Sequence, residues 1–266
     1  MKITILTAGT RGDVQPYLAL AKRLQTAGYS VRLGAPTNFE SFVSQQGIDF
    51  APLRADYYQL MDSPEGQALK SGNPVRVMQH MRTTVFPLMR RLMDDTWQAA
   101  QDAEAIIYHP KLFSSPHIAE KLNIPVMMAA TVPLLTPTGE FPAPGVFNRN
   151  LGATLNRLTY KAVVLATSSF NGMVKEFRRD TLGLPEKSSV VNGFTMHGQP
   201  IPVLYCYSQS VVPVPSDWDD SAHVTGYWWL DEAKDWQPPT DLQAFLNAGD
   251  AAHADDCFPT DAALAG

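Results

Sequence analysis

Short apolar runs separated by longer stretches of helical spacing recur through the first half of the chain. Residues 3–6, 30–33, 48–53, 105–108 and 126–130 read as strands, and most are too uniformly apolar to carry a solvent face. Between them, residues 17–24, 38–46, 75–103 and 115–122 read as helices. The second is capped by Asn38 with Glu40 in its first turn, and the third is bent at Pro87. Alternation of this kind predicts an α/β fold, a parallel sheet with helices on both faces. Residues 55–75, polar and punctuated by Pro64, Gly66, Gly72 and Pro74, read as an excursion from it. In the second half, residues 136–144 contain Pro137, Pro142 and Pro144 and are expected to be irregular. Residues 148–182 read as one long helix, stopped by Gly183 and Pro185. Residues 202–206 and 223–228 close the sheet as short strands, 235–239 form a linker, and 240–248 a short capped helix.

The segment joining the first strand to its helix, Gly9-Thr10-Arg11-Gly12-Asp13-Val14-Gln15-Pro16, carries the most information. It lies at the carboxyl end of a strand, where open parallel sheets place their ligands. Gly9 and Gly12 supply turns that a side chain would hinder, and Pro16 suits the first turn of the helix. Asp13 then stands at a helix N-terminus. It reads either as a cap or as a base that takes a proton from a bound hydroxyl. The segment lacks the G-x-G-x-x-G order, and the second strand ends in Gly34-Ala35-Pro36 without an acidic residue for a ribose. NAD binding, and with it a Rossmann oxidoreductase, is disfavoured.

Residues 2–36, with Thr10-Arg11-Gly12-Asp13-Val14-Gln15-Pro16-Tyr17, Gly28-Tyr29-Ser30-Val31 and Ala35-Pro36, resemble the N-terminal domain of GT-B glycosyltransferases, the sterol and antibiotic-modifying enzymes above all. Three later stretches agree in order: residues 117–126, residues 131–138, and Val224-Thr225-Gly226-Tyr227-Trp228-Trp229-Leu230-Asp231. The resemblance implies a Rossmann-like sheet that forms the acceptor-binding half of a UDP-sugar-dependent, inverting, metal-independent hexosyltransferase acting on a lipid, sterol or other apolar hydroxyl. It implies no tightly bound cofactor, a UDP-sugar as co-substrate, and Asp13 as the base. It also points to the region of Met78 and Phe86, together with Phe141, as the acceptor side. Thr10, Arg11 and Gly12 would line the cleft, and Thr131 would follow the strand beside it.

The residues themselves leave bland readings beside these. Arg11 is as well explained by an exposed loop, and Thr131 by a turn cap. His109, directly after the strand 105–108, reads equally as an assistant to Asp13 or as a structural histidine; His117, inside a helix, reads as packing. Met78, Met81, Phe86, Met89, Met93 and Trp97 recur at helical spacing, which first of all means a core stripe. Asp217-Trp218-Asp219 resembles a metal-dependent motif of another fold but sits in a Pro-flanked loop, and no His, Cys and carboxylate cluster suggests a metal. Trp228 and Trp229 are expected to pack.

Composition narrows the classes. The 266-residue chain has a formal net charge of −5 and no Lys/Arg block, which disfavours nucleic acid. No run reaches the ~18 apolar residues of a membrane span, and the first residues do not form a signal peptide. With Cys206 and Cys257 isolated, a cytoplasmic protein is expected, with peripheral membrane contact left open. The expected division is a domain over 1–234, a linker and the start of a second domain over 235–250, and a disordered tail over 251–266. That tail departs from the resemblance, which predicts a strand and a second, donor-binding Rossmann domain. A frameshift near Asp250 is one explanation, and a natural one-domain protein the other. The chain would be inactive alone, or would meet a donor domain in trans. The competing reading is a non-catalytic one-domain binding protein for an apolar ligand or partner.

Overall fold

The structure is a computed structural model that describes residues 1–54, 80–185, 187–191, 194–230 and 237–247. Met1–Leu230 is one compact unit; Asp231–Gly266 is a second, in which residues 240–247 are helical. Met78, the excursion 55–75, Asp250 and the tail 251–266 lie outside the described residues.

The first unit is built on strands β1 (Lys2–Leu6), β2 (Ser30–Pro36), β3 (Asp49–Leu53), β4 (Ala105–Tyr108), β5 (Val126–Ala130), β9 (Val203–Tyr205) and β10 (Ala222–Val224). They are all parallel, in the order β10-β9-β5-β4-β1-β2-β3. Helices α1 (Arg11–Thr26) and α2 (Glu40–Ser44) cover one face; α3 (Phe86–Ala100) and α4 (Ser115–Leu122) cover the other. Each face has its own core. Val14, Tyr17 and Leu18 of α1 meet Ile3, Ile5, Val31 and Leu33, while Leu92, Met93 and Ile118 meet Leu6, Ile106 and Met128. Both faces of β1 are thereby filled, which is why its sequence is an unbroken apolar run.

Several boundaries differ from the sequence expectation for identifiable reasons. α1 begins at Arg11, so Pro16 lies inside the helix and not in its first turn. Gly12 is likewise helical, and a Cβ there would meet nothing nearer than 4.0 Å. Asn38 does not cap a helix but sits in a 3₁₀ turn, Thr37–Phe39, before α2. Pro87 occupies the first turn of α3, which a π-helical turn, Met81–Val85, precedes.

The expected long helix over 148–182 is two helices, α5 (Ala153–Ser168) and α6 (Asn171–Glu176), the latter continued by a π-helical turn, Phe177–Thr181. The break falls where the Phe170 ring packs on Phe113 and Phe86, with centroids 5.1 and 5.7 Å away. Three two-residue strands, β6 (Val190–Val191), β7 (Thr195–Met196) and β8 (Gln199–Pro200), form a small antiparallel sheet that the sequence pattern did not announce. β10 stops at Val224, two residues before Gly226 takes φ +78°. Trp228 packs edge-on to Tyr17, whereas Trp229 is 76% exposed, with its ring 5.5 Å from that of Tyr227 and outside the core.

Candidate active site

In the sheet order, β1 lies between β2 and β4, so the chain leaves β1 toward one side and returns through β4 on the other. The loops after these two strands meet at the carboxyl edge, the place where open α/β sheets form a crevice. Leu6 pairs with Tyr108, and the N–H of His109 donates to the Leu6 carbonyl at 2.8 Å, which fixes the two loops against each other.

Three groups converge there on the Asp13 carboxylate. The Thr10 N–H donates to Oδ2 at 2.9 Å, the Lys111 ammonium donates to Oδ2 at 3.0 Å, and His109 Nε2 lies 3.2 Å from Oδ1. The first of these completes a capping box at the start of α1, which sets the helix start earlier than the apolar periodicity alone. Gly9 takes φ +145°, and a Cβ built on it would lie 1.9 Å from Asp13 Oδ2. Only glycine leaves the carboxylate its place.

The His109 tautomer follows from its neighbours. The Lys111 backbone N–H donates to His109 Nδ1 at 3.1 Å, so the proton resides on Nε2 and is donated to Asp13. Burial lowers the His109 pKa, against the pull of Asp13, and keeps the ring neutral. Burial would raise the Asp13 pKa, but the donors His109, Thr10 and Lys111 outweigh it and hold the carboxyl well below the usual carboxylate range. The site thus presents an ionised Asp13 beside a neutral His109.

Lys111 also borders a cavity of about 780 Å³, within the ~300–1,000 Å³ range of small-molecule sites. Its walls are largely apolar: Met89, Phe113, Met128, Leu134, Val163, Val164, Phe170 and Val174. At another part of the wall Arg178, 1% exposed, reaches His117 Nδ1 at 2.9 Å, the Pro185 carbonyl at 2.9 Å, and Glu120. This cluster ties α4 to the segment after α6.

The sequence-singled residues are distributed as follows. Thr10, Asp13 and His109 come together. Arg11 turns away, its guanidinium over the Phe42 ring at 5.2 Å and its Nε donating to Gln15 at 2.9 Å. Gly12 is one residue before Asp13 in the helix. Phe86 lies behind the cavity wall, against Phe170. Phe141 and Thr131 are not among the lining residues; the Phe141 carbonyl accepts from Tyr160 OH at 3.4 Å. Asp217 accepts from Thr138 Oγ1, the Gly139 N–H and Arg157, which makes it a clamp between a loop and α5. Among the described residues no group of three or more His, Cys, Asp or Glu is placed to hold a metal ion. Sequence reasoning missed Lys111, whose only signal is its place two residues after His109, and the α5 and α6 walls of the cavity.

Residues 3–137 match the glycosyltransferase family 28 N-terminal domain. A sterol 3-beta-glucosyltransferase of Leptosphaeria maculans is 36% identical over 249 residues, which are 93% of this chain and 17% of that protein. The corresponding enzyme of Aspergillus clavatus is 36% identical over 252 residues, with 92% and 17% covered. The chain therefore spans about a sixth of the length of these relatives. Among solved structures, the glycotransferase of kitacinnamycin superposes with a TM-score of 0.58 at 14% identity, over 90% of this chain and 55% of that one. It shares the GT-B glycosyltransferase arrangement of the sheet. The matched span holds β1 to β5, the Asp13 loop and the loop of His109 and Lys111, and on that match the chain belongs to glycosyltransferase family 28, whose N-terminal domain it contains.

Proposed function

We propose that this chain is the acceptor-binding half of a glycosyltransferase that moves a hexosyl group from a UDP-sugar to the hydroxyl of a sterol, lipid or other apolar acceptor. The observation that carries the reading is the place of Asp13, at the carboxyl edge of the sheet with its carboxylate oriented by three donors. An ionised carboxylate offers about four acceptor positions. The Thr10, Lys111 and His109 donors use three of them. The remaining position is free for an acceptor hydroxyl. As the acceptor oxygen bonds to the sugar's anomeric carbon, the bond from that carbon to the diphosphate breaks, and the hydroxyl proton passes to Asp13. His109 cannot take that proton, because Nδ1 already accepts from Lys111 and Nε2 already carries one. Its part is to orient the Asp13 carboxylate.

The apolar cavity beside Lys111 supplies the acceptor side, in keeping with the acceptors named for the sterol glucosyltransferase relatives. The donor nucleotide would be held by a second half, as the length of those relatives suggests.

The test joins this chain to the part of the Leptosphaeria maculans relative that follows its matched region and follows transfer from UDP-glucose to a sterol. Asp13→Asn is expected to lower turnover about 10²–10⁴-fold, the range of a general base, with the fold intact. Turnover within a few-fold of the unchanged fusion would remove Asp13 as the base.

A further inference from the structure

The cavity wall is apolar over most of its area, but its charged groups share one sign. Lys111, Lys175 and Arg178 line it, and among the described residues no Asp or Glu does. The chain as a whole is acidic, at −5, so the sign of the wall is a local feature. The Arg178 Nε–H has no acceptor among the described residues, which adds a donor in excess to the excess of positive charge.

Two of the three cations are balanced from outside the wall. Lys111 pairs with Asp13 and Arg178 with Glu120, and neither carboxylate is part of the lining. Lys175 is in no ion pair among the described residues, which leaves the wall one unbalanced positive charge. It stands on α6 with Asn171 and Val174, at the i, i+3 and i+4 spacing of a single helical face. Asn171 and Lys175 are exposed as well as lining, so they stand at a mouth of the cavity. A charge bound there keeps part of its water and avoids the desolvation cost of a fully buried ion. An apolar space with one unbalanced ammonium and an amide at its mouth is complementary to an amphipathic monoanion, its apolar body inside and its carboxylate at the rim.

We propose that the acceptor held in this cavity carries a carboxylate as well as its hydroxyl, and that Lys175, with Asn171 beside it, selects that carboxylate. The inference rests on the reading of the cavity as the acceptor side. It narrows the acceptor from any apolar alcohol to a hydroxylated apolar monocarboxylate. The selection is read as binding, without turnover, so its failure and that of the transfer reading are separate results.

The experiment is calorimetric titration of the purified 266-residue chain with 12-hydroxydodecanoate and with its methyl ester, near neutral pH. The two probes share the apolar body and the hydroxyl and differ in charge alone. The acid is expected to bind at least about tenfold more tightly, the size of a hydrogen bond to a charged group. Lys175→Met should bring the acid to within about twofold of the ester, with the melting temperature within about a degree or two because the side chain is exposed. Lys175→Arg should keep the preference, and Val163→Trp, which fills the cavity, should remove binding of both probes. Equal affinity for acid and ester on the unaltered chain overturns the proposal and leaves the acceptor reading of the cavity standing. A preference that survives Lys175→Met, or acid binding that survives Val163→Trp, also overturns it. Binding of neither probe overturns both readings of the cavity.

Discussion

His117 and His109 are both buried, and each accepts a hydrogen bond that requires a bare ring nitrogen: the former from Arg178, the latter from the Lys111 N–H. Burial, helped by the Arg178 charge, pulls His117 down to about 4; burial also lowers His109. Both folded values lie below the unfolded ~6.5. Their contribution to stability is therefore complete above pH 6.5 and is lost as pH falls, for His117 down to about 4. Its size for His117 is at most roughly 3 kcal/mol. Glu120 adds a second acid-side loss. Burial would raise it, but Arg178 and Ser189 hold it at about 2, so its share is lost between about 4.5 and 2. Unfolding free energy measured by denaturant titration should be level between pH 6.5 and about 8 and fall below pH 6.5. His117→Asn, which keeps an acceptor for Arg178 but cannot titrate, should flatten the fall between pH 6.5 and 4. An unchanged slope would assign that fall to His109 and other groups. Sequence position was enough to bring Asp13 and His109 to one edge of the sheet, because the segments that follow the adjacent parallel strands β1 and β4 lie side by side there. It was not enough for Arg178, which the pattern shows only as one more charge in a helix.

At the scale of elements, the first loop and α1 act as a unit. Thr10 and Asp13 close the capping box, and Gly9 clears the space in which the carboxylate receives Lys111 and His109. A methyl group at residue 9 meets Asp13 Oδ2 at 1.9 Å and Lys111 Nζ at 2.7 Å, and φ +145° is strained for any other residue. Gly9→Ala should therefore displace Asp13. We expect a loss of about 1–3 kcal/mol in thermal unfolding, together with a loss of transfer in the fused enzyme close to that of Asp13→Asn. Full activity with unchanged melting would show that the loop adapts without moving the carboxylate. The parallel strands were legible because their apolar runs reflect burial on two faces. Helix starts were less so: a capping box extended α1 by a turn and more beyond its periodic residues, and the expected long helix breaks at Ser168-Ser169-Phe170-Asn171-Gly172, residues of weak helix propensity where the Phe170 ring packs on Phe113.

At the scale of the whole molecule, the cavity is assembled from α3, β4, α4, β5, the α5–α6 pair and the small antiparallel sheet, segments far apart in sequence. Each contributes residues that read locally as core. Only the unfilled space between them turns a Met, Phe and Val surface into the wall of a cavity, and an absence of atoms leaves no mark on periodicity. This explains why Met89, in a predicted core stripe, is at the wall, while Met93, one turn on, is buried in the core. A ligand that enters the cavity binds the folded state alone and must stabilise it by mass action. At a free concentration of 100 times its dissociation constant, an apolar hydroxylated acceptor such as a sterol should add about 2.7 kcal/mol, or roughly 5–10 °C in melting temperature for a chain of this size. Val163→Trp, which places an indole in that space, should abolish most of the shift. Asp13→Asn should retain it, because the carboxylate accepts one proton from a molecule held mainly by apolar walls. A shift that survives Val163→Trp would place the acceptor elsewhere on the molecule. A shift lost in Asp13→Asn would mean that the hydroxyl contact, and not apolar burial, dominates binding, and the cavity would then select acceptors by their reacting group more than by their shape.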